Sequence, residues 1–163
     1  MQNLEIIRSK ILDLQTLKRQ LATWRFFQKK IVFTNGCFDI VHLGHIDYLS
    51  RAKNLGDKLL IGLNTDESVR QIKGLHRPVA DQDSRAVFLA SLRFIDGVVL
   101  FNETTPHNLI REIIPDILVK GSDYQIENIV GADIVSENGG RIVTIQFLEG
   151  YSTTGVIEKI KKI

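Results

Sequence analysis

The chain has 163 residues, 44% of them hydrophobic and 25% charged, which suits one domain with a sizeable core and argues against disorder. Twenty-one lysines and arginines against 19 aspartates and glutamates leave a net charge of +2, too weak a bias to argue for nucleic acid or an anionic membrane as partner, so any bound anion must be held locally. The single cysteine, Cys37, excludes an internal disulfide framework, the N-terminus MQNLEIIRSK carries Glu5 and Arg8 where a signal peptide needs an apolar stretch, and no apolar run reaches membrane-spanning length; a cytoplasmic protein is expected.

Leu14, Leu17, Leu21 and Trp24 fall at helical spacing after Asp13, whose carboxylate can accept from first-turn amides, so a helix is predicted over about 14–27. IVFTN at 31–35 is a β-rich run closed by Gly36, and HIDYLSRAKNLG repeats apolar or small residues at 46, 49, 52 and 55 before Gly56 ends the helix. KLLIGL at 58–63 is the second strand, DESVRQIK the next helix, and GLHRPVAD at 74–81, with glycine and proline, a loop. SRAVFLASLRF at 84–94 is predicted helical and GVVLF at 97–101 a strand; Pro106 opens the helix HNLIREII and Pro115 stops it. DILV at 116–119 is a fourth strand, IVGADIVSENGG a weaker helix ended by paired glycines, RIVTIQF a fifth strand, and STTGVIEKIKK a closing helix capped by Ser152.

Five alternations of strand and helix, with several strands as unbroken apolar runs, predict a doubly wound α/β domain around a parallel five-stranded sheet. No repeat, low-complexity tract or linker divides the chain, so a single domain over 1–163 is expected, with 1–28 as a helical extension packed on it. Ligands of such sheets bind at the carboxyl ends of the strands, near the point where strand order reverses. Polar clusters follow each strand in turn: Asn35 to Asp39, Asn64 to Asp66, Asn102 to Thr104, Lys120 to Tyr124, and Gly150 to Thr154.

Two features in these clusters point to anion chemistry. His42 and His45 stand three apart at the entrance of a helix, on one side of its opening turn, with Gly44 between them keeping that turn bare, so both imidazoles can face one ligand. The competing readings are a satisfied polar pair, a helix cap, or a zinc site completed by Cys37 and Asp39, whose spacing fits no common structural zinc pattern. Ser152, Thr153 and Thr154 open the last helix, where free amides and the dipole favour negative charge, although serine and threonine also cap helices with no ligand present. Lys73, Arg77 and Arg85 surround a loop stiffened by Pro78; Lys73 and Arg77 are expected to contribute positive charge, whereas Arg85 is expected to face solvent from its helix. Asp39, Asp66, Asp96 and Asp123 are the acids expected nearest the binding edge, available to position a ribose or a hydrated cation. Cys37 reads as a small packing residue. Neither Gly-x-x-x-x-Gly-Lys-Ser/Thr nor a strand-following Gly-x-Gly-x-x-Gly is present, which argues against a P-loop enzyme and removes the strongest case for nicotinamide dinucleotides. Many donors with no evident nucleophile suit phosphoryl or nucleotidyl transfer, in which one substrate attacks another directly and the protein contributes position and charge.

Asn35-Gly-Cys-Phe-Asp39, His42-Leu-Gly-His45 and Gly150-Tyr-Ser-Thr-Thr154 in this strand–helix order resemble the cytidylyltransferase-like nucleotidyltransferases, which share a Rossmann-like fold. TNGCFDIVHLGH, AKNLGDKLLIGLNTDESV, KGLHRPV with RAVFLASL, PDILVKGSDY, IVGADIV and GYSTT are similar to the branch of adenylyltransferases that makes ADP-heptose from D-glycero-D-manno-heptose 1-phosphate, a likeness spanning about 10–163. The resemblance implies ATP as a substrate, accompanied by Mg2+, attacked at its α-phosphorus by the sugar 1-phosphate with release of pyrophosphate. It implies that His42 and His45 bind the triphosphate and stabilise the pentacoordinate α-phosphoryl group, that Ser152 and Thr153 hold the departing phosphates, and that Lys73 swings onto phosphate. Thr34, Asn35, Gly36, Cys37 and Phe38 would line the nucleotide cleft; Lys120, Gly121 and Asp123 would flank base and ribose; Thr154 would join the phosphate cradle; and Asp39, Asn64, Asp66 and Arg77 would contact substrate. A homodimer, a separate heptose kinase, and a product feeding lipopolysaccharide core or another surface glycan are implied as well. Glycerol-phosphate cytidylyltransferases carry an arginine where this chain has Phe147, which weakens a CTP-using, polyol-phosphate alternative; a nucleotide- or metal-binding module without turnover is the other alternative.

Overall fold

Five short runs rich in valine, leucine and isoleucine build the sheet of this computed structural model, which describes residues 2–122 and 128–162. They are β1 (Ile31–Gly36), β2 (Lys58–Asn64), β3 (Gly97–Phe101), β4 (Ile117–Gly121) and β5 (Arg141–Ile145), all parallel, in the order β3-β2-β1-β4-β5. Helices α1 (Asn3–Arg8), α2 (Leu14–Phe26), α3 (Leu43–Lys53), α4 (Asp66–Lys73), α5 (Gln82–Ser91), α6 (His107–Ile113), α7 (Ala132–Glu137) and α8 (Thr153–Ile160) complete a Rossmann-like α/β fold.

Alternate residues of each strand point to opposite faces, and each face is covered. Val32, Leu59, Ile61, Val98 and Val119 pack beneath Tyr48, Leu49 and Ala52 of α3 and Ala86, Leu89 and Ala90 of α5. Ile31, Phe33, Leu60, Val99 and Leu118 meet Leu17, Leu21 and Trp24 of α2, Leu109, Ile110 and Ile113 of α6, and Val135 of α7. The leading helix α2 is therefore a structural part of one face; Asp13 caps it, accepting from the Thr16 amide at 2.6 Å.

The order of strands reverses between β1 and β4. Six residue pairs join β1 to β2, but only Val32–Ile117 and Phe33–Leu118 join β1 to β4. Beyond Phe33 the two central strands part, so their carboxyl ends frame a crevice at the switch point.

The elements differ from the sequence reading at their ends. The short α1 has no buried residue and so no apolar stripe to announce it. Helix α5 starts at Gln82 because Asp81 caps it, accepting from the Ser84 amide at 2.8 Å, and it stops at Ser91. Strand β5 ends at Ile145, which frees Phe147 to lie against the Tyr48 ring at 5.3 Å.

Candidate active site at the switch point

Gly36 ends β1 and is followed by Phe38 at φ 43°, a left-handed conformation costly for a bulky residue. Any side chain at 36 would meet the Phe38 ring at 3.0 Å, so glycine lets that ring fold back over the strand end, edge-on to His45 at 5.4 Å. The chain then enters α3 at His42. Neither histidine does a capping or core job: His42 is the N-cap residue of α3 but makes no side-chain capping bond, and Nδ1 of both rings is buried with no hydrogen-bond partner among the described residues. The rings stack, 3.9 Å between centroids at 20°. Burial lowers the pKa of His42, and burial, followed by the charges of His42 and Lys73, pushes His45 down to about 4. Both imidazoles are therefore neutral near pH 7, each with a polar atom that no described side chain engages.

The tail of the chain comes to the same place. Gly44 has Tyr151 against it: a Cβ at 44 would stand 3.0 Å from the Tyr151 Cβ and 3.1 Å from the His42 Nδ1. Tyr151 leads into Ser152, whose Oγ caps α8 by accepting from the Gly155 amide at 3.0 Å. A cavity of about 440 Å³ results, lined by His42, His45, Ser152, Thr153 and Thr154, with Lys73 and Arg77 at its wall. The amino ends of α3 and α8 both open toward it, so two helix dipoles favour an anion there. A second cavity, about 410 Å³, occupies the β1/β4 crevice and is lined by Asn35 to Asp39, Asn64, Thr104, Thr105, Lys120 and Gly121. His45, Lys73, Arg77, Phe147 and Thr153 belong to both walls, so the two volumes form one cleft. Its size suits a nucleotide-sized ligand.

The other expected site residues divide. Asn35 accepts from Lys120 Nζ across the parted strands. Cys37 is half-buried in the cleft wall, its thiol pKa raised by burial against the opposing pull of Lys73, which fits packing rather than a reactive thiolate. Asn64 is buried and turned onto Ser68 at 2.9 Å. Thr34, expected in the nucleotide wall, lies one layer deeper, fully buried with its hydroxyl 2.8 Å from the Tyr48 hydroxyl. Asp66, expected at the substrate, pairs with Arg85 and lines a separate open depression with Thr65, Glu67 and Arg70. Asp39 borders the cleft, but its side chain is only 1% exposed: Oδ1 accepts from the Val79 and Ala80 amides, and the buried Oδ2 lies against Arg77. Asp96, expected at the binding edge, sits at the opposite one: it precedes β3, pairs with Lys53 and Lys58, and accepts from the Leu59 amide at 2.9 Å. Asp123 and Tyr124 lie outside the described residues. Among the described residues no group of three or more His, Cys, Asp or Glu could hold a metal ion.

Arg85 corrects the sequence reading most sharply. It does not face solvent; it is 1% exposed and donates to the carbonyls of Cys37 at 2.6 Å, Asn64 at 2.9 Å and Ala80 at 3.0 Å, and to the Asp66 carboxylate at 2.7 Å. One guanidinium thus joins the ends of β1 and β2 to the loop before α5. Its helical context, RAVFLASL, does place residue 85 beside the buried Ala86, Leu89 and Ala90, a signal that charge alone obscured.

Residues 33–159 match the model of one protein family, described as cytidylyltransferase-like. The chain belongs to the cytidylyltransferase-like family. Membership brings with it the nucleotidyltransferase class of enzyme. The chain is 53% identical over 152 residues to the bifunctional protein HldE of Citrifermentans bemidjiense, covering 93% of this chain and 31% of that protein. It is 59% identical over 133 residues to HldE of Campylobacter jejuni subsp. jejuni, covering 82% and 28%. This cytidylyltransferase-like chain therefore spans about a third of the length of the curated relatives it matches. A lipopolysaccharide core biosynthesis protein from Thermoplasma volcanium superposes with a TM-score of 0.62 at 31% identity, over 74% of this chain and 99% of that one. Pantoate-beta-alanine ligase from Francisella tularensis, at 16% identity and a TM-score of 0.61 over 94% of this chain and 78% of that one, shares the fold. No helix among the described residues is long and apolar enough to cross a membrane.

Proposed function

We propose that this protein is an adenylyltransferase that transfers AMP from ATP to D-glycero-D-manno-heptose 1-phosphate, giving ADP-heptose and pyrophosphate. The observation that carries the reading is the single cavity shared by the imidazoles of His42 and His45 and the hydroxyls of Ser152 and Thr153. A phosphate oxygen of the sugar phosphate attacks the α-phosphorus of ATP; as that bond forms, the bond from the α-phosphorus to the bridging oxygen breaks and pyrophosphate leaves with the electron pair. His42 and His45 donate to the crowded α-phosphoryl oxygens, while Ser152, Thr153 and Thr154 with the α8 amides hold the departing β and γ phosphates. Such fixed donors need no reorganisation at the moment of reaction, which is where most catalysis of this kind originates. Lys73 neutralises phosphate charge, and Asn35, Lys120 and Gly121 line the wall taken by the nucleoside. Mg2+ enters as part of the MgATP substrate, since it is commonly held by substrate phosphates and water.

The kinship with bifunctional HldE proteins and with a lipopolysaccharide core biosynthesis protein supports heptose as the sugar and a surface glycan as its destination. The heptose 1-phosphate would come from a kinase separate from this domain; cytoplasmic work and a homodimer complete the proposal. Phe147 at the wall of both cavities, in place of an arginine, favours ATP over CTP. Incubation with heptose 1-phosphate and each nucleoside triphosphate in turn is expected to release pyrophosphate with ATP. Release with CTP instead would reassign the base, and no release with any nucleotide would remove the proposal.

A further inference from the structure

The carboxylate of Asp39 is enclosed, yet it is not idle. Its Oδ1 accepts from the amides of Val79 at 2.7 Å and Ala80 at 3.0 Å, which pins the loop between α4 and α5 against the end of β1. Its Oδ2 lies 2.7 Å from Arg77 Nε. That contact is an ion pair without an aligned hydrogen bond, since Asp39 Oδ2 and Arg77 Nε are both buried and neither has a hydrogen-bond partner among the described residues. The Arg77 guanidinium carries five N–H donors and makes no hydrogen bond among the described residues, while its side chain borders both halves of the cleft. The far end of the loop is held by Arg85, which takes the Ala80 carbonyl. A cation with unused donors is thus fixed from behind by an almost fully enclosed carboxylate.

We propose that Asp39 is a positioning residue: it aims the Arg77 guanidinium at the polyphosphate where the two cavities join, leaving Arg77 as the direct contact and Asp39 as its support. The role rests on the nucleotidyl-transfer reading of the cleft. It also gives Arg77 a task distinct from that of Lys73. Lysine approaches phosphate as a flexible point charge, whereas a guanidinium held at its Nε presents a preset fork to two oxygens.

The test is calorimetric titration of inorganic tripolyphosphate into the full chain and its variants, with melting temperature recorded alongside. Arg77→Ala is expected to weaken binding about tenfold, the loss typical of a charge-assisted bond. Asp39→Asn should weaken it comparably, and the double variant no more than either single one, because both remove the same contact. Unchanged affinity in Arg77→Ala, or losses that simply add in the double variant, would overturn the assignment, as would a wild type that does not bind tripolyphosphate. If Asp39→Asn does not fold, Arg77→Lys decides instead: it keeps the charge but loses the contact at Nε, and wild-type affinity in that variant counts against the role. Because tripolyphosphate binding needs no turnover, the expected pattern together with no pyrophosphate release from any nucleotide would remove the adenylyltransferase reading and leave the Asp39–Arg77 pairing standing.

Discussion

In the proposed reading the chemistry turns on His45, which is half-enclosed, neutral and, among the described residues, without a partner for its buried Nδ1. A cap or core histidine would stabilise the fold; this one does neither, so His45→Ala should retain the wild-type melting temperature while losing about a hundredfold or more in turnover, the typical cost of removing one preorganised donor. Steady-state kinetics paired with thermal melts separates the two roles. Its pKa also predicts a pH signature. The folded value of about 4 lies below the ordinary value of 6.5, so the unfolded chain takes up a proton before the folded one does. Protonating the buried ring therefore costs the folded chain stability that is intact above pH 6.5 and drains away as pH falls toward 4. Urea midpoints measured across that window should decline in the wild type and decline less in His45→Asn; parallel curves would mean that burial of the ring is not the cause. Arg85 makes a different prediction. Replacing it with Met leaves Asp66 unpaired and the Cys37, Asn64 and Ala80 carbonyls without their donor, so stability should fall by about 3–5 kcal/mol, as for other broken buried pairs. Denaturant titration measures this directly.

At the scale of elements, the site is a meeting of two helix starts, and Gly44 is where they touch. Alanine at 44 would put a methyl 3.0 Å from the Tyr151 Cβ, so either the segment leading into α8 or the His42 ring must give way. Gly44→Ala should therefore raise the KM for ATP several-fold more than it lowers the melting temperature would suggest, since the helices persist while their separation changes. An unchanged KM would show that the contact between 44 and 151 does not set the phosphate cradle. The elements themselves were largely legible in the sequence. Strands β2 and β3 are continuous apolar runs, Asp13 and Ser152 are caps with visible helices behind them, and the spacing of His42 and His45 at a helix entrance suffices to put both rings on one side. What could not be read was the commitment of charged side chains. Asp66, Asp96 and Arg85 look alike in a sequence as polar residues near strand ends, and only the packing of α4, α5 and the 74–81 loop decides that Arg85 turns inward to Asp66 while Asp96 closes the far edge with Lys53 and Lys58.

For the whole molecule, the decisive feature is the parting of β1 from β4 after two residue pairs, which opens the crevice at the switch point of an otherwise continuous sheet. Sequence could announce a parallel sheet but not this divergence, because register between strands separated by more than eighty residues is set by the helices on both faces rather than by local pattern. The crevice and the phosphate cradle share His45, Lys73, Arg77, Phe147 and Thr153, so a nucleotide can lie across both only if the histidines from the first third of the chain and the hydroxyls near its end grip the same triphosphate. A crystal structure with ATP bound tests this most directly. The expected result is α- and β-phosphates within hydrogen-bond distance of His42 and His45, β- and γ-phosphates at Ser152, Thr153 and the α8 amides, and the nucleoside along Asn35 and Gly121. A triphosphate seated away from either group, with the imidazoles or the α8 hydroxyls left facing water, would contradict it.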